Sequence, residues 1–117
     1  DQLISLNAKT GIPIENFGKN GIVKIGSSPT TPVIIDEQII IGSVIPAVEV
    51  YDVYNGKLQW KYYLRKLNKK LTNYRDFKGG SPWGGIASDN KNGILYLTTG
   101  NAAPYLVGIQ RPGKNTI

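Results

Sequence analysis

The chain has 117 residues, 40% of them hydrophobic and 19% charged, with 14 Gly and 7 Pro, which suits one small turn-rich, strand-rich unit better than a helix bundle. It contains no Cys and no His. That excludes disulfides, thiolate metal sites, zinc enzymes of the usual kind, Ser-His-Asp or Cys-His catalysis and His-ligated haem, and it leaves oxygen-held calcium or magnesium as the metals such a chain can bind.

In chain order, residues 2–7 predict a strand, ended by the turn Lys9-Thr10-Gly11. Gly18-Lys19-Asn20-Gly21 predicts a second turn, with residues 22–25 extended after it. Residues 32–35 and 38–42 predict two strands joined by the turn Asp36-Glu37. Both runs are β-branched and apolar on both faces, as in strands buried between neighbouring sheets. Residues 47–53 predict another strand, Tyr54-Asn55-Gly56-Lys57 a hairpin turn, and residues 58–62 the strand leaving it. Residues 61–71 form the one helix candidate, and residues 86–97 a last hairpin around Asp89-Asn90-Lys91-Asn92-Gly93. No apolar run approaches the roughly 20 residues that a membrane-spanning helix needs.

The elements repeat. Leu6-Asn7-Ala8-Lys9-Thr10-Gly11 and Tyr51-Asp52-Val53-Tyr54-Asn55-Gly56 are each a strand running into a polar turn closed by Gly, and Gly11 and Gly56 are 45 residues apart. Residues 33–42 and 86–100 each read strand, acidic turn, strand, Gly. The two patterns alternate. A period near 45 with about four short strands per unit is the arithmetic of a β-propeller blade. The expected fold class is therefore all-β, with residues 1–117 supplying about two and a half blades. Closure needs roughly four to eight blades, so the expectation is a partial propeller domain cut from a longer chain, whose open edges make it poorly folded or self-associating alone.

The net charge of +6 is uneven. Lys57, Lys61, Arg65, Lys66, Lys69, Lys70, Arg75 and Lys78 share their window with one acid, Asp76, and with interleaved Tyr and Phe. This is one footprint of nucleic-acid binding. The favoured reading is a solvated loop or short helix with inward aromatics; attraction to an anionic ligand or membrane surface is a third. A nucleic-acid partner ranks last among the readings.

Three strings carry a resemblance: Gly79-Gly80-Ser81-Pro82-Trp83-Gly84-Gly85-Ile86, then Ile94-Leu95-Tyr96-Leu97-Thr98-Thr99-Gly100-Asn101-Ala102-Ala103-Pro104, then Arg111-Pro112-Gly113-Lys114-Asn115. Together they resemble the quinoprotein dehydrogenases that depend on pyrroloquinoline quinone. The stretch from Asp52 to Trp60 is similar to that family's blade-closing motif, in which a Trp docks each blade on the next. Residues 12–21, with Phe17-Gly18-Lys19-Asn20-Gly21, look like the glucose dehydrogenase branch.

The resemblance implies an eight-bladed propeller with the quinone over its axis. It places the family's stacking Trp on Trp83, its calcium-ligand Asn on Asn101, eighteen residues later, and more loosely a cofactor-facing hydroxyl on Thr30. A planar quinone needs a flat aromatic face, calcium takes an uncharged amide oxygen readily, and Lys or Arg nearby would neutralise the quinone's carboxylates. Read without the resemblance, Trp83 is a blade-core residue and Asn101 an ordinary turn residue.

Departures from the family pattern are equally specific. After the strand at 39–42 the family has an acidic calcium ligand, whereas this chain has Ser43-Val44-Ile45-Pro46-Ala47, and Glu49 lies in the following strand and does not take the role. The adjacent Cys pair of some branches is absent, Tyr105 stands where the glucose branch has an acid, and no catalytic residue is assigned because the Asp base is expected beyond Ile117. The resemblance thus implies part of a dehydrogenase, inactive alone, that oxidises a sugar or alcohol hydroxyl by hydride transfer to the quinone. Its electrons would pass to a membrane quinone or a cytochrome, in the periplasm and in association with a membrane. The competing reading is a non-catalytic propeller that serves as a binding or assembly scaffold.

Overall fold

In the computed structural model, residues 1–64 and 79–101 are described. They form eight strands and, among the described residues, no helix: β1 (Gln2–Ile4), β2 (Ile22–Lys24), β3 (Val33–Ile35), β4 (Gln38–Ser43), β5 (Ala47–Asp52), β6 (Leu58–Tyr63), β7 (Ile86–Asp89) and β8 (Ile94–Leu97).

Strands β3-β4-β5-β6 make one antiparallel up-and-down sheet, the content of a whole propeller blade, flanked in sequence by the two-stranded sheets β1-β2 and β7-β8. The described residues thus supply one complete blade and two half-blades.

The layering follows from the side-chain period of 2 along a strand. Ile39 and Ile41 of β4 and Tyr51 of β5 face one way and, with Phe17, form a buried cluster capped by Leu3 and Val23 of the first half-blade. Ile40 of β4 and Val48 and Val50 of β5 face the other way and, with Ile35, form a second cluster against Ile86, Leu95 and Leu97 of the last half-blade. This is why β4 carries three consecutive Ile. Each face of the central sheet is covered by a neighbour, so alternation with polar residues would bury unpaired polar groups. Ile40 is fully buried.

One turn chemistry recurs. The Asn7 side-chain oxygen accepts from the Lys9 and Thr10 amides, and its carbonyl accepts from Gly11, whose φ is 72°. Asp52 repeats this with Tyr54, Asn55 and Gly56, the last at φ 69°. Such side-chain capping of a turn closed by a left-handed Gly is self-contained chemistry, and its recurrence 45 residues on gives the repeat a physical basis. The Gly18 amide donates to the Asn55 carbonyl (2.8 Å), and a Cβ on Gly56 would meet Phe17. The first half-blade is thereby seated on the turn of the next.

The helix candidate is corrected at its start. Lys61, Tyr62 and Tyr63 belong to β6, paired with Glu49, Val48 and Ala47 of β5. Aromatic residues on an extended edge favour the pleated surface over a helix. The remainder of that candidate, and most of the basic window, lie outside the described residues. Trp60, expected to dock blade on blade, stands opposite Val50 and is 42% exposed.

Candidate functional site

The stretch following Gly79 is bound to the stretch following β8. The Gly100 amide donates to the Ser81 carbonyl (2.8 Å) and the Gly80 amide to the Asn101 carbonyl (3.2 Å). The Ser81 hydroxyl donates to the Val44 carbonyl (2.7 Å), which ties this pair of segments to the β4–β5 turn. Ser81 and Pro82 are buried, whereas Trp83, the next residue, is 59% exposed. Trp83 is therefore not a blade-core residue among the described contacts. Its indole edge lies over Gly100, where a Cβ would come 2.6 Å from both Cδ1 and Nε1. Asn101, beside Gly100, is exposed.

Trp83 and Asn101, eighteen positions apart in sequence, thus share one corner. Thr30 stands one step away. A Cβ on Gly42 would meet Pro82 Cγ at 2.7 Å and Thr30 Oγ1 at 3.2 Å, so Gly42 lies close to both Thr30 and Pro82, the residue before Trp83. Thr30 is half-buried, exchanging hydrogen bonds with Ser28.

A planar heteroaromatic cofactor fits this corner in one respect. An indole with its edge seated on a glycine and more than half its surface open offers a ring for stacking. For calcium the donors are fewer. Asn101 brings one neutral oxygen, and no group of three or more Asp and Glu gathers among the described residues, against the six to eight oxygens that calcium takes. The turn from Ser43 to Ala47 closes tightly, with those two residues paired across it, and adds no acid.

Glu49 is committed elsewhere. Its carboxylate, on a residue 2% exposed, accepts from Lys61 Nζ (2.6 Å) and from the Tyr51 hydroxyl (2.6 Å). Burial pushes its pKa up, but the hydrogen bonds and charge of Lys61, with Tyr51 and the Gly26 backbone, outweigh burial and hold it below the ordinary 4.5. Burial, then the bond to Glu49, drives the Tyr51 hydroxyl well above its ordinary value. Lys61 Nζ also lies 5.2 Å from the Tyr63 ring centre, within cation–π range. This Lys61–Glu49–Tyr51 group escaped the sequence reading. Its one signal was an acid and a Tyr two apart inside an otherwise apolar strand.

Comparisons with known proteins agree with the fold. Residues 1–117 match the family model described as "PQQ: Glucose/ethanol/alcohol dehydrogenase, beta-propeller domain". The chain is similar to quinohemoprotein alcohol dehydrogenase ADH IIB of Pseudomonas putida, at 30% identity over 96% of this chain and 20% of that protein. Quinoprotein glucose dehydrogenase A of Acinetobacter calcoaceticus is 30% identical over 94% of this chain and 17% of its own length. Methanol dehydrogenase [cytochrome c] subunit 1 of Methylobacterium organophilum is 27% identical over 97% and 23%. The chain spans about a fifth of the length of the curated relatives it matches.

Proposed function

The chain belongs to the PQQ glucose/ethanol/alcohol dehydrogenase β-propeller family, and from this we propose that it is part of a pyrroloquinoline quinone-dependent dehydrogenase acting on a sugar or alcohol hydroxyl. The observation that carries the reading is the half-exposed Trp83 ring with its edge on Gly100, beside Asn101. The quinone, when bound, supplies the hydride acceptor; this chain supplies orientation and shielding.

Trp83 gives the cofactor plane a face to lie on. Pro82, fully buried beside Gly42, fixes the backbone from which the indole projects. Thr30, whose hydroxyl lies 3.5 Å from the Gly42 carbonyl, would supply the cofactor-facing hydroxyl that the family resemblance implies. Asn101 would offer its amide oxygen to a calcium ion as one ligand. A metal ion there would polarise the quinone carbonyl as a Lewis acid. No base for the substrate proton is assigned among the described residues. Electrons pass to a membrane quinone or a cytochrome, and the name of the methanol dehydrogenase relative, which includes cytochrome c, supports the second. The enzyme then works at the periplasmic face of a membrane, and recovery of the protein in the cytosolic fraction would contradict that placement.

The test uses the full-length protein stripped of cofactor and titrated with the quinone. Trp83→Ala should weaken binding about a hundredfold, the scale of losing a large stacked ring. Equal affinity removes Trp83 from the site. Asn101→Ala should raise the calcium needed for half-maximal quinone retention about tenfold or more, by analogy with lost metal-site partners, and an unchanged calcium titration removes Asn101. A protein that binds no quinone in any form would favour the scaffold reading.

A further inference from the structure

We propose that Gly100 is a positioning residue for Trp83. By lacking a Cβ it admits the indole edge onto its own Cα, which sets the plane the ring presents to the quinone. The proposal rests on the dehydrogenase reading for its ligand, but the contact itself stands on geometry alone.

Gly100 is not needed for its backbone. Unlike Gly11, Gly56 or Gly93, it lies outside the left-handed region, so an L-residue could take its conformation. What it cannot give is room. A Cβ there would stand 2.6 Å from two atoms of the indole and 3.4 Å from the Ser81 carbonyl oxygen, and carbon contacts find their optimum near 3.5–4.0 Å. The Ser81 side of the site cannot yield, because the Gly100 amide is bonded to that carbonyl and the Ser81 side chain is bonded to Val44. The strain of a methyl group therefore falls on the indole, whose other side is open.

Two more glycines outside the left-handed region show the same design. A Cβ on Gly84 would lie 2.6 Å from Thr98 Oγ1, and one on Gly42 would lie 2.7 Å from Pro82 Cγ. Residues on both sides of Trp83 are thus brought close to neighbouring segments through missing side chains. Among the described residues, the ring is placed by its close contact with a glycine rather than by a polar anchor.

The experiment uses the full-length protein labelled with 5-fluorotryptophan, the Trp83 fluorine resonance being identified by its loss in Trp83→Phe. In Gly100→Ala the Trp83 resonance should move, quinone affinity should fall about tenfold, the scale of one misoriented aromatic contact, and Tm should fall by several degrees. In the Trp83→Ala background the same alanine should leave Tm unchanged, a coupling that two independent sites do not show. Gly93→Ala is the control: it strains a left-handed turn with open space around it, so it should lower Tm without moving the Trp83 resonance. An unmoved resonance, or an equal Tm loss with and without the indole, overturns the contact. A moved resonance with unchanged quinone affinity overturns the positioning role. If the parent protein itself binds no quinone, the dehydrogenase reading fails, and the Tm cycle alone decides the contact. Should Gly100→Ala not fold, the double variant with Trp83→Ala must fold, or the contact is refuted.

Discussion

The central sheet and the Trp83–Asn101 corner use opposite means to hold their side chains. The sheet is held by contact on every side, with Ile40 enclosed by one neighbouring layer and Ile41 by the other, and with Glu49 spending both carboxylate oxygens on protein partners. The corner leaves Trp83 more than half open and seats it on a glycine. The difference teaches where stability and function separate. Residues of the sheet should report on folding, and those of the corner on ligand.

Four changes test that division. Ile40→Ala should cost the most, about 2–5 kcal/mol in denaturant unfolding of the full-length protein, because it removes buried methylenes from a site covered on both faces. A loss below about 1 kcal/mol would mean that the two layers do not enclose β4. Lys61→Ala should follow, at about 3 kcal/mol, since it strips the cation from a buried carboxylate; an unaffected melt would place Glu49 in water.

Acid comes next. The pKa of Glu49 is lowered in the folded state, so its contribution is fully present above 4.5 and is lost as pH falls through the folded value. Glu49→Gln should therefore flatten the acid limb of the stability curve relative to the parent. Parallel limbs would deny the linkage. The smallest effect belongs to Trp83→Ala, expected to cost about 1 kcal/mol by removing the indole's contact with Gly100, although the same substitution is the one that should cost quinone affinity. A large stability loss there would erase the contrast between the two regions.

Much of the sheet was legible in the sequence because its signals are local. Apolar runs bounded by polar turns that end in Gly mark strands wherever they occur, and Asn7 and Asp52 carry their turns with their own side chains. Lys61 and Tyr62 fall in both the predicted strand at 58–62 and the helix candidate at 61–71, and only pairing with Glu49 and Val48 decides for the strand. At the corner, composition alone made Trp83 a core residue, and resemblance to a family made it a surface for a cofactor. The role of Gly100 was not legible at all. It exists only once residues 80–81 are paired with residues 100–101, and no spacing rule announces which glycine an indole will lie against.

The recurring Asx turn also bears on how such a chain assembles. Since Gly18 binds the carbonyl of Asn55 and Phe17 fills the space beneath Gly56, the first half-blade is fastened to the central sheet by a latch built from both. Excising the central blade for study would cut that latch and strip the covering from both Ile40 and Ile41. Dissection experiments should therefore keep Gly18 and Asn55 in one piece and retain both layers over β4.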